Sequence, residues 1–421
     1  MCLSGKYIFL GYDLLVLISV VSILSVLLTL VVLVYGTSAA FWLFETSVLA
    51  PPKESDESAF EWGPGDVQVR ISTIAAANIV QTTVDTLPET ITDVHVIAEA
   101  PIDVEGATVH VVPAGFECAA GHKGRALEWA RRHVPCRKEY VLFLDEDTLV
   151  TEFEGLPDDD VVQFTELPLY TGSRWAYLCE VFRIGYQCEQ RAFARFAYPL
   201  YVWGGGIAIR RSVEEQVTWD RRTITEDTAF VWTAAAELGI SMSVVDTRFR
   251  NQAPPSIRGM IRQRRRWMSG TREDGNMLPL TYRALISVRA VVWALSPLIV
   301  ILGALTTLVP GVTVLAGTYV DWLVLVMLVF LHFVTWVGAS VYGFGVGTTT
   351  LAVVLTIPIV LLNTVGALWG FLSPTRAFTV TPKVTAERIE RSHPTFRDSD
   401  GDLEETIDQE SNDMPLDPRR L

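Results

Sequence analysis

Lysine is nearly missing from this chain. Only Lys6, Lys53, Lys123, Lys138 and Lys383 stand among 34 basic residues, against 48 acidic ones, for a net charge of −14. That balance argues against nucleic acid as a partner, because phosphate backbones are bound by concentrated basic charge. Cysteine is as sparse: Cys2, Cys118, Cys136, Cys179 and Cys188 form no CxxC pair. Their odd number argues against a disulfide framework and for a reduced, cytosol-facing catalytic region. The six histidines show no HExxH or comparable pairing, which disfavours a zinc hydrolase. No GxxxxGKS/T occurs, which disfavours a membrane NTPase. Charge itself is scarce, 19% of residues against 50% hydrophobic, more apolar than a soluble domain requires.

The apolar residues are clustered. Leu14 to Tyr35 carries no charge and is long enough, at about 1.5 Å per residue, to cross a hydrocarbon core. It exceeds a signal-peptide core, and no small-residue cleavage site follows closely, so it reads as an anchor. Residues 1–13 form a stub before it, and 36–65 read as an interfacial segment and linker, with Phe41 to Leu49 too short to add a second span. Apolar runs return at Ala290–Leu308, Trp322–Val341 and Thr348–Leu372. Arg262–Arg266 with Arg289 ask for the cytosol on one flank of these, and Arg376, Lys383, Arg388 and Arg391 ask for it on the other. Three complete spans cannot satisfy both, so within the 290–372 transmembrane and re-entrant unit one run is re-entrant or interfacial, or the tail breaks the rule; the last run, which contains Pro358 and Asn363, is the first candidate. Residues 276–289 read as an interfacial linker. The 373–421 tail is acidic and reads as disordered; its Asp398, Asp400 and Asp402 miss the calcium-loop spacing.

Between the membrane segments lies a stretch of ordinary polarity, 66–275. Short apolar runs alternate there with helical patterns, the signature of a parallel α/β sheet. Strands are expected at Val67–Thr73, Val94–Ala98, Ala107–Val112 and Tyr140–Leu144, with helices near Ala75–Thr86 and Lys123–Arg132. The fourth strand runs straight into Asp145, Glu146 and Asp147, and ligands of open α/β sheets bind at the carboxyl ends of strands. Two carboxylates one residue apart can hold Mg²⁺ or Mn²⁺ on a diphosphate, whereas a solvated acidic turn is the plainer alternative. Asp158, Asp159 and Asp160 repeat the pattern after a Gly-Leu-Pro loop and read as surface charge. Thr225-Glu226-Asp227 opens a helix and could be no more than its capped, acidic first turn. Gln263-Arg264-Arg265-Arg266-Trp267 is all arginine where a merely basic membrane-surface stretch would tolerate lysine. Arginine is the forked phosphate ligand, and the following Trp can stack on a sugar.

The motifs FLDEDT (143–148), TED (225–227) and QRRRW (263–267), in this order between membrane segments, resemble the membrane-integrated family 2 glycosyltransferases, the group of cellulose and hyaluronan synthases. Within it, KGRALEWA (123–130), WGGGIAIRRS (203–212), RQRRRWMSG (262–270) and FTVTPK (378–383) look most like the egghead-type β-1,4-mannosyltransferases. The resemblance covers residues 67–383. It implies a GT-A, Rossmann-like α/β domain with transmembrane helices, a divalent cation, and an inverting displacement from a nucleotide-diphosphate sugar. It implies Asp227 as general base beside Glu226, Asp147 with Asp145 as metal ligands, and Asp145, Lys123, Gln263, Arg266 and Trp267 around the donor. The base-reading position of the family is an Asp; here it holds Glu99, with Asp103 four residues on. Trp203, Gly204 and Gly205, with Trp267, fall where the acceptor is bound, and the glycines would let backbone approach a sugar.

An active site beside the membrane favours a lipid-linked or glycan acceptor, and the small number of spans favours single transfer over export of a polymer; the donor that the resemblance implies is GDP-mannose or a UDP-sugar. The expected location is the cell membrane, as an integral protein with its catalytic domain in the cytosol. A processive polysaccharide synthase is the alternative, and a catalytically silent nucleotide-sugar-binding subunit is the alternative of another class. A transporter is disfavoured because Asp321 and His332 supply few polar groups within the spans.

Overall fold

The computed structural model describes residues 26, 29–31, 33–50, 60–308, 318–377 and 381–385. The stub, most of the 14–35 run and the tail with Asp398, Asp400 and Asp402 lie outside the described residues.

The α/β unit comprises β1 (Val67–Thr73), α2 (Ala77–Asp85), β2 (Asp93–Ala98), β3 (Thr108–Val111), α3 (His122–His133), β4 (Tyr140–Asp145), β5 (Leu149–Val150), β6 (Val161–Leu169), α4 (Arg174–Gln187), β7 (Gly206–Arg210), α5 (Arg211–Gln216), α6 (Glu226–Leu238), β8 (Met242–Gln252) and α7 (Ile257–Asp274). It follows α1 (Thr29–Leu49) and precedes α8 (Leu280–Leu308), α9 (Thr318–Val341), α10 (Val346–Val354) and α11 (Thr356–Leu372). The strands form one sheet in the order β3-β2-β1-β4-β7-β6-β8-β5.

The expected strands and helices lie where the apolar alternation places them, but the sheet is mixed. β1 to β4 pair in parallel, whereas β7 runs antiparallel to both β4 and β6. β4 is buried on both faces. Its period of two sends Leu142 and Leu144 into one apolar cluster with β1 and α2, and Val141 and Phe143 into another with Trp219 and Phe230. A strand so enclosed delivers Asp145 and Asp147 to a fixed place at its carboxyl end.

The Asp158–Asp160 run has a structural part. Asp158 Oδ1 accepts from Trp62 Nε1 at 3.0 Å and from Arg210 Nη2 at 2.6 Å, and Asp160 Oδ2 accepts from the Ser241 amide at 2.9 Å, pinning the turn before β6.

Among the described residues, three helices are long and apolar enough to cross a membrane: Thr29–Leu49, Leu280–Ile301 and Trp322–Val341. α1 continues through Phe41–Leu49, where the sequence suggests an interfacial segment, and ends in a π turn over Glu45–Leu49. α8 likewise begins at Leu280, inside the stretch read as a linker. The last apolar run is broken: α10 and α11 meet at a 75° bend. The bend falls at Leu355, so Pro358 sits in the first turn of α11, where its missing N–H costs no helical bond. Asn363 does not weaken that helix; its Oδ1 accepts from Arg264 Nε of α7 at 3.1 Å.

The apolar helices pack onto the α/β unit by close backbone approach. A Cβ on Gly185 of α4 would lie 2.2 Å from the Val334 carbonyl oxygen of α9, and one on Gly366 of α11 would lie 2.2 Å from the Ile261 carbonyl oxygen of α7. Gly185→Val is therefore expected to destabilise the detergent-solubilised protein by about 1–3 kcal/mol through overpacking. Thermal unfolding checks this; an unchanged midpoint would mean that α4 and α9 do not pack at this distance.

Candidate active site

Lys123, in the first turn of α3, is the centre of the site. Its Nζ donates to Asp145 Oδ1 at 2.7 Å and to the Gly204 carbonyl at 3.2 Å, and lies 3.3 Å from Asp227 Oδ1 and 3.7 Å from Glu226 Oε1. Three carboxylates from β4 and the N-terminus of α6 thus share one ammonium. Burial works against charge on Lys123, but Asp145, Asp227 and Glu226 outweigh it and hold the ammonium well above its ordinary range. In return, and against burial, Lys123 keeps Asp145 below the usual carboxylate range. Asp227 moves the other way: burial, then the adjacent Glu226, raise it to about 7, and Lys123 opposes this.

The start of α6 is held by α7. Thr225 Oγ1 donates to Asp274 Oδ2 at 2.6 Å, and Gly270 leaves room for Thr225, whose Oγ1 would lie 2.5 Å from a Cβ there. On α7, Arg266 is half-buried in the field of Glu226, Asp145 and Asp227; desolvation lowers its pKa and those carboxylates oppose the shift. Gln263 Oε1 accepts from Arg264 Nη1 at 3.0 Å. Arg264 is fully buried, pairs with Glu180 of α4, and lies 4.4 Å from the centre of the Trp267 ring, so the indole rests on a guanidinium fixed by two neighbouring helices.

The glycines of WGGG make room for side chains. A Cβ on Gly204 would fall 2.0 Å from the Asp227 carboxyl carbon, and Cβ atoms on Gly205 and Gly206 would strike the Trp203 ring at 2.6 and 2.7 Å. The backbone freedom expected to serve a sugar admits the Asp227 carboxylate and the Trp203 indole. Trp203 is itself held by Gln163, which accepts from its amide at 2.9 Å and donates to its carbonyl at 3.0 Å.

Asp147 is buried. Its Oδ2 accepts from Lys383 Nζ at 2.5 Å and from the Gln252 amide at 3.2 Å, while its Oδ1 has no partner. Lys383 belongs to a C-terminal strap tied down by Val384, whose amide donates to Gln252 Oε1 at 2.8 Å and whose carbonyl accepts from Gln252 Nε2 at 2.9 Å. No motif reading assigns Lys383 a role, although it closes FTVTPK and is one of only five lysines. Glu146 between the two aspartates points elsewhere, accepting from Thr73 Oγ1 at 2.6 Å. Glu99 pairs with Arg125, and Asp103 is exposed.

One cavity of about 690 Å³ brings these residues together. It is lined by Asp145, Asp147, Glu99, Lys123, Trp203, Gly204, Glu226, Asp227, Gln263, Arg266 and Trp267, whereas Gly205, Asp103 and the Asp158–Asp160 run are not on its wall. No group of three or more His, Cys, Asp or Glu side chains that could hold a metal occurs among the described residues. The unpartnered Asp147 Oδ1 beside Asp145 nevertheless suits a hard cation that takes its other ligands from phosphate oxygens and water.

A mixed sheet with an acidic turn closing a central parallel strand, beside this cavity, is a GT-A-like glycosyltransferase fold with several apolar helices added. Residues 140–342, slightly under half of the chain, match the model of glycosyl transferase family group 2. Among solved structures, a mannosyltransferase from Pyrobaculum calidifontis in complex with GDP-mannose and Mn²⁺ is similar at 15% identity, covering 84% of this chain and 98% of that one with a TM-score of 0.49. Glucosyl-3-phosphoglycerate synthase from Mycobacterium tuberculosis with Mn²⁺ and UDP-glucose is similar at 15% identity, covering 43% and 69% with a TM-score of 0.29. Comparison with curated proteins finds no significant match.

Two protein carboxylates complete only part of a coordination shell. Mn²⁺ titration followed by electron paramagnetic resonance is therefore expected to show weak binding to the protein alone, at least tenfold tighter binding with GDP or UDP present, and loss of the nucleotide-dependent site in Asp147→Asn. Unchanged Mn²⁺ affinity in that variant would remove Asp147 from the metal site.

Proposed function

We propose that this chain is a membrane-integrated family 2 glycosyltransferase, of the egghead-type group, that moves one sugar from GDP-mannose or a UDP-sugar to a lipid-linked acceptor with inversion at the anomeric carbon. The observation that carries the reading is the cluster around Lys123, with the half-buried Arg266 beside it, in a cavity that the family motifs line together. The acceptor hydroxyl gives its proton to the Asp227 carboxylate as its oxygen bonds to C1 of the sugar, and the bond from C1 to the diphosphate oxygen breaks. Arg266 meets the charge that grows on the departing nucleoside diphosphate, where a pre-placed cation is most effective. Asp147 and Asp145 would hold Mg²⁺ or Mn²⁺, which when bound supplies further positive charge to the diphosphate. Lys123 keeps Asp145 ionised and positions Asp227 against Gly204. Trp267 and Trp203 offer faces on which a sugar can stack. α1, α8 and α9 as spans, with the broken α10–α11 pair returning to the same side, would hold the cavity at the cytosolic face of the cell membrane.

The test is transfer of label from GDP-mannose, UDP-glucose, UDP-galactose or UDP-N-acetylglucosamine into organic-soluble and polymer fractions, by protein in lipid with Mg²⁺ or Mn²⁺. Label is expected in the lipid fraction, reduced at least a hundredfold in Asp227→Asn while donor binding persists. Label in a growing polymer would favour a synthase, and donor binding without transfer would favour a silent subunit.

Two further outcomes follow from the geometry. Gly204→Ala forces the Asp227 carboxylate away and should lower kcat by roughly a hundredfold or more, whereas Gly115→Ala, with open space around its Cβ, should not. The base acts only when deprotonated, so kcat/KM should rise with pH through about 7 and level off above it. Lys123→Met removes the charge that lowers Asp227 and should move that limb to higher pH; a limb that stays in place would assign it to another group.

A further inference from the structure

Thr225 stands at the N-cap of α6, where a threonine hydroxyl ordinarily accepts from an amide two or three residues on. Here it makes no such bond. The side chain is turned the other way, and its Oγ1 donates to Asp274 Oδ2 at 2.6 Å. Thr223 joins the same oxygen: its Oγ1 donates to Asp274 Oδ2 at 2.5 Å and accepts from the Thr225 amide at 2.9 Å. The segment thus forgoes a local cap for two charge-assisted bonds to the last residue of α7. An ordinary capped first turn does not account for Thr225-Glu226-Asp227.

Asp274 is buried, at 6% exposure, and is not on the wall of the cavity, so it has no access to a substrate there. What it does have is a place on a stripe. Arg266, Gly270 and Asp274 are spaced by four along α7, which puts them on one face of the helix. Each meets the same short segment. Asp274 takes Thr223 and Thr225, Gly270 leaves the space that Thr225 fills, and Arg266 lies in the field of Glu226 and Asp227. About two turns of one helix therefore hold residues 223–227 in register from end to end. In the displacement, one bond at C1 forms on the Asp227 side and the other breaks on the Arg266 side, so the rate depends on how these two groups are placed relative to each other.

Building on the transferase reading above, we propose that Asp274 is a positioning residue for the base: acting through Thr223 and Thr225, it fixes where α6 begins and so where the Asp227 carboxylate stands relative to Arg266. A nucleoside diphosphate bound against Arg266 then also steadies residues 223–227, because one stripe of α7 carries both contacts. The base is brought into place when the donor arrives.

The experiment measures transfer kinetics and nucleotide binding of the full chain in nanodiscs with Mn²⁺, together with hydrogen–deuterium exchange over residues 223–229 with and without GDP or UDP. Asp274→Leu and Thr225→Val break the tie and should lower kcat roughly tenfold to a hundredfold, with donor KM and nucleotide affinity kept within about twofold. Asp274→Asn keeps an accepting oxygen and Thr225→Ser keeps the hydroxyl, so each should stay within about threefold of the parent in kcat. The double variant of Asp274→Leu with Thr225→Val should lose no more than the worse single, since both remove one contact. Nucleotide should slow exchange over 223–229 in the parent and in Asp274→Asn, and not in Asp274→Leu. If Asp274→Leu does not fold, Thr225→Val against Thr225→Ser decides by the same readings. Unchanged kcat in the tie-breaking variants, or a fall in kcat matched by an equal loss of nucleotide affinity, overturns the proposal. A parent that binds nucleotide but transfers no sugar would overturn the transferase reading instead. Protection that needs Asp274 would then leave the link from Arg266 to α6 standing, and protection indifferent to Asp274 would remove it.

Discussion

One ammonium among three carboxylates organises this protein. Asp145, Glu226 and Asp227 come from two distant parts of the chain, and brought together without a cation they would repel one another in a partly dry cavity. Lys123 resolves the conflict and fixes the geometry at once, because its Nζ also takes the Gly204 carbonyl. The end of β4, the start of α6, the first turn of α3 and the loop before β7 are therefore tied to a single atom. The same arrangement separates the carboxylates in character: Asp145 is kept ionised, while Asp227 is left near neutrality, where a group can both take up and release a proton.

The apolar helices support that centre directly. α7 carries Gln263, Arg266 and Trp267, and it is gripped by α11 through the close approach at Gly366 and the bond from Arg264 to Asn363. α4 holds the same arginine from the other side through Glu180. Arg264 and the Trp267 indole are thus oriented by helices rich in apolar residues, which makes the broken last segment a part of the framework of the candidate site.

Much of this was legible in the residues. β4 could be read because a strand buried on both faces is continuously apolar, and the acidic turn stood out because charge follows it abruptly. The spacing of TED and QRRRW was readable because each sits in one helical turn. The antiparallel β7 was not, since GIAIR carries no sign of strand direction. The glycines of WGGG were read as openings for a sugar; what they admit is Asp227 from 23 positions later, a contact no local pattern encodes. Lys383 was missed for the same reason, as its partner Asp147 lies 236 residues away.

The most direct measurement of the central claim is a cryo-electron microscopy map of the protein in lipid with GDP or UDP and Mn²⁺. The account predicts the diphosphate between Arg266 and the Asp145–Asp147 turn, the cation on Asp147, and Lys123 still bridging Asp145 and Asp227. A nucleotide bound outside this cavity, or Lys123 drawn away from both aspartates in the occupied site, would contradict it.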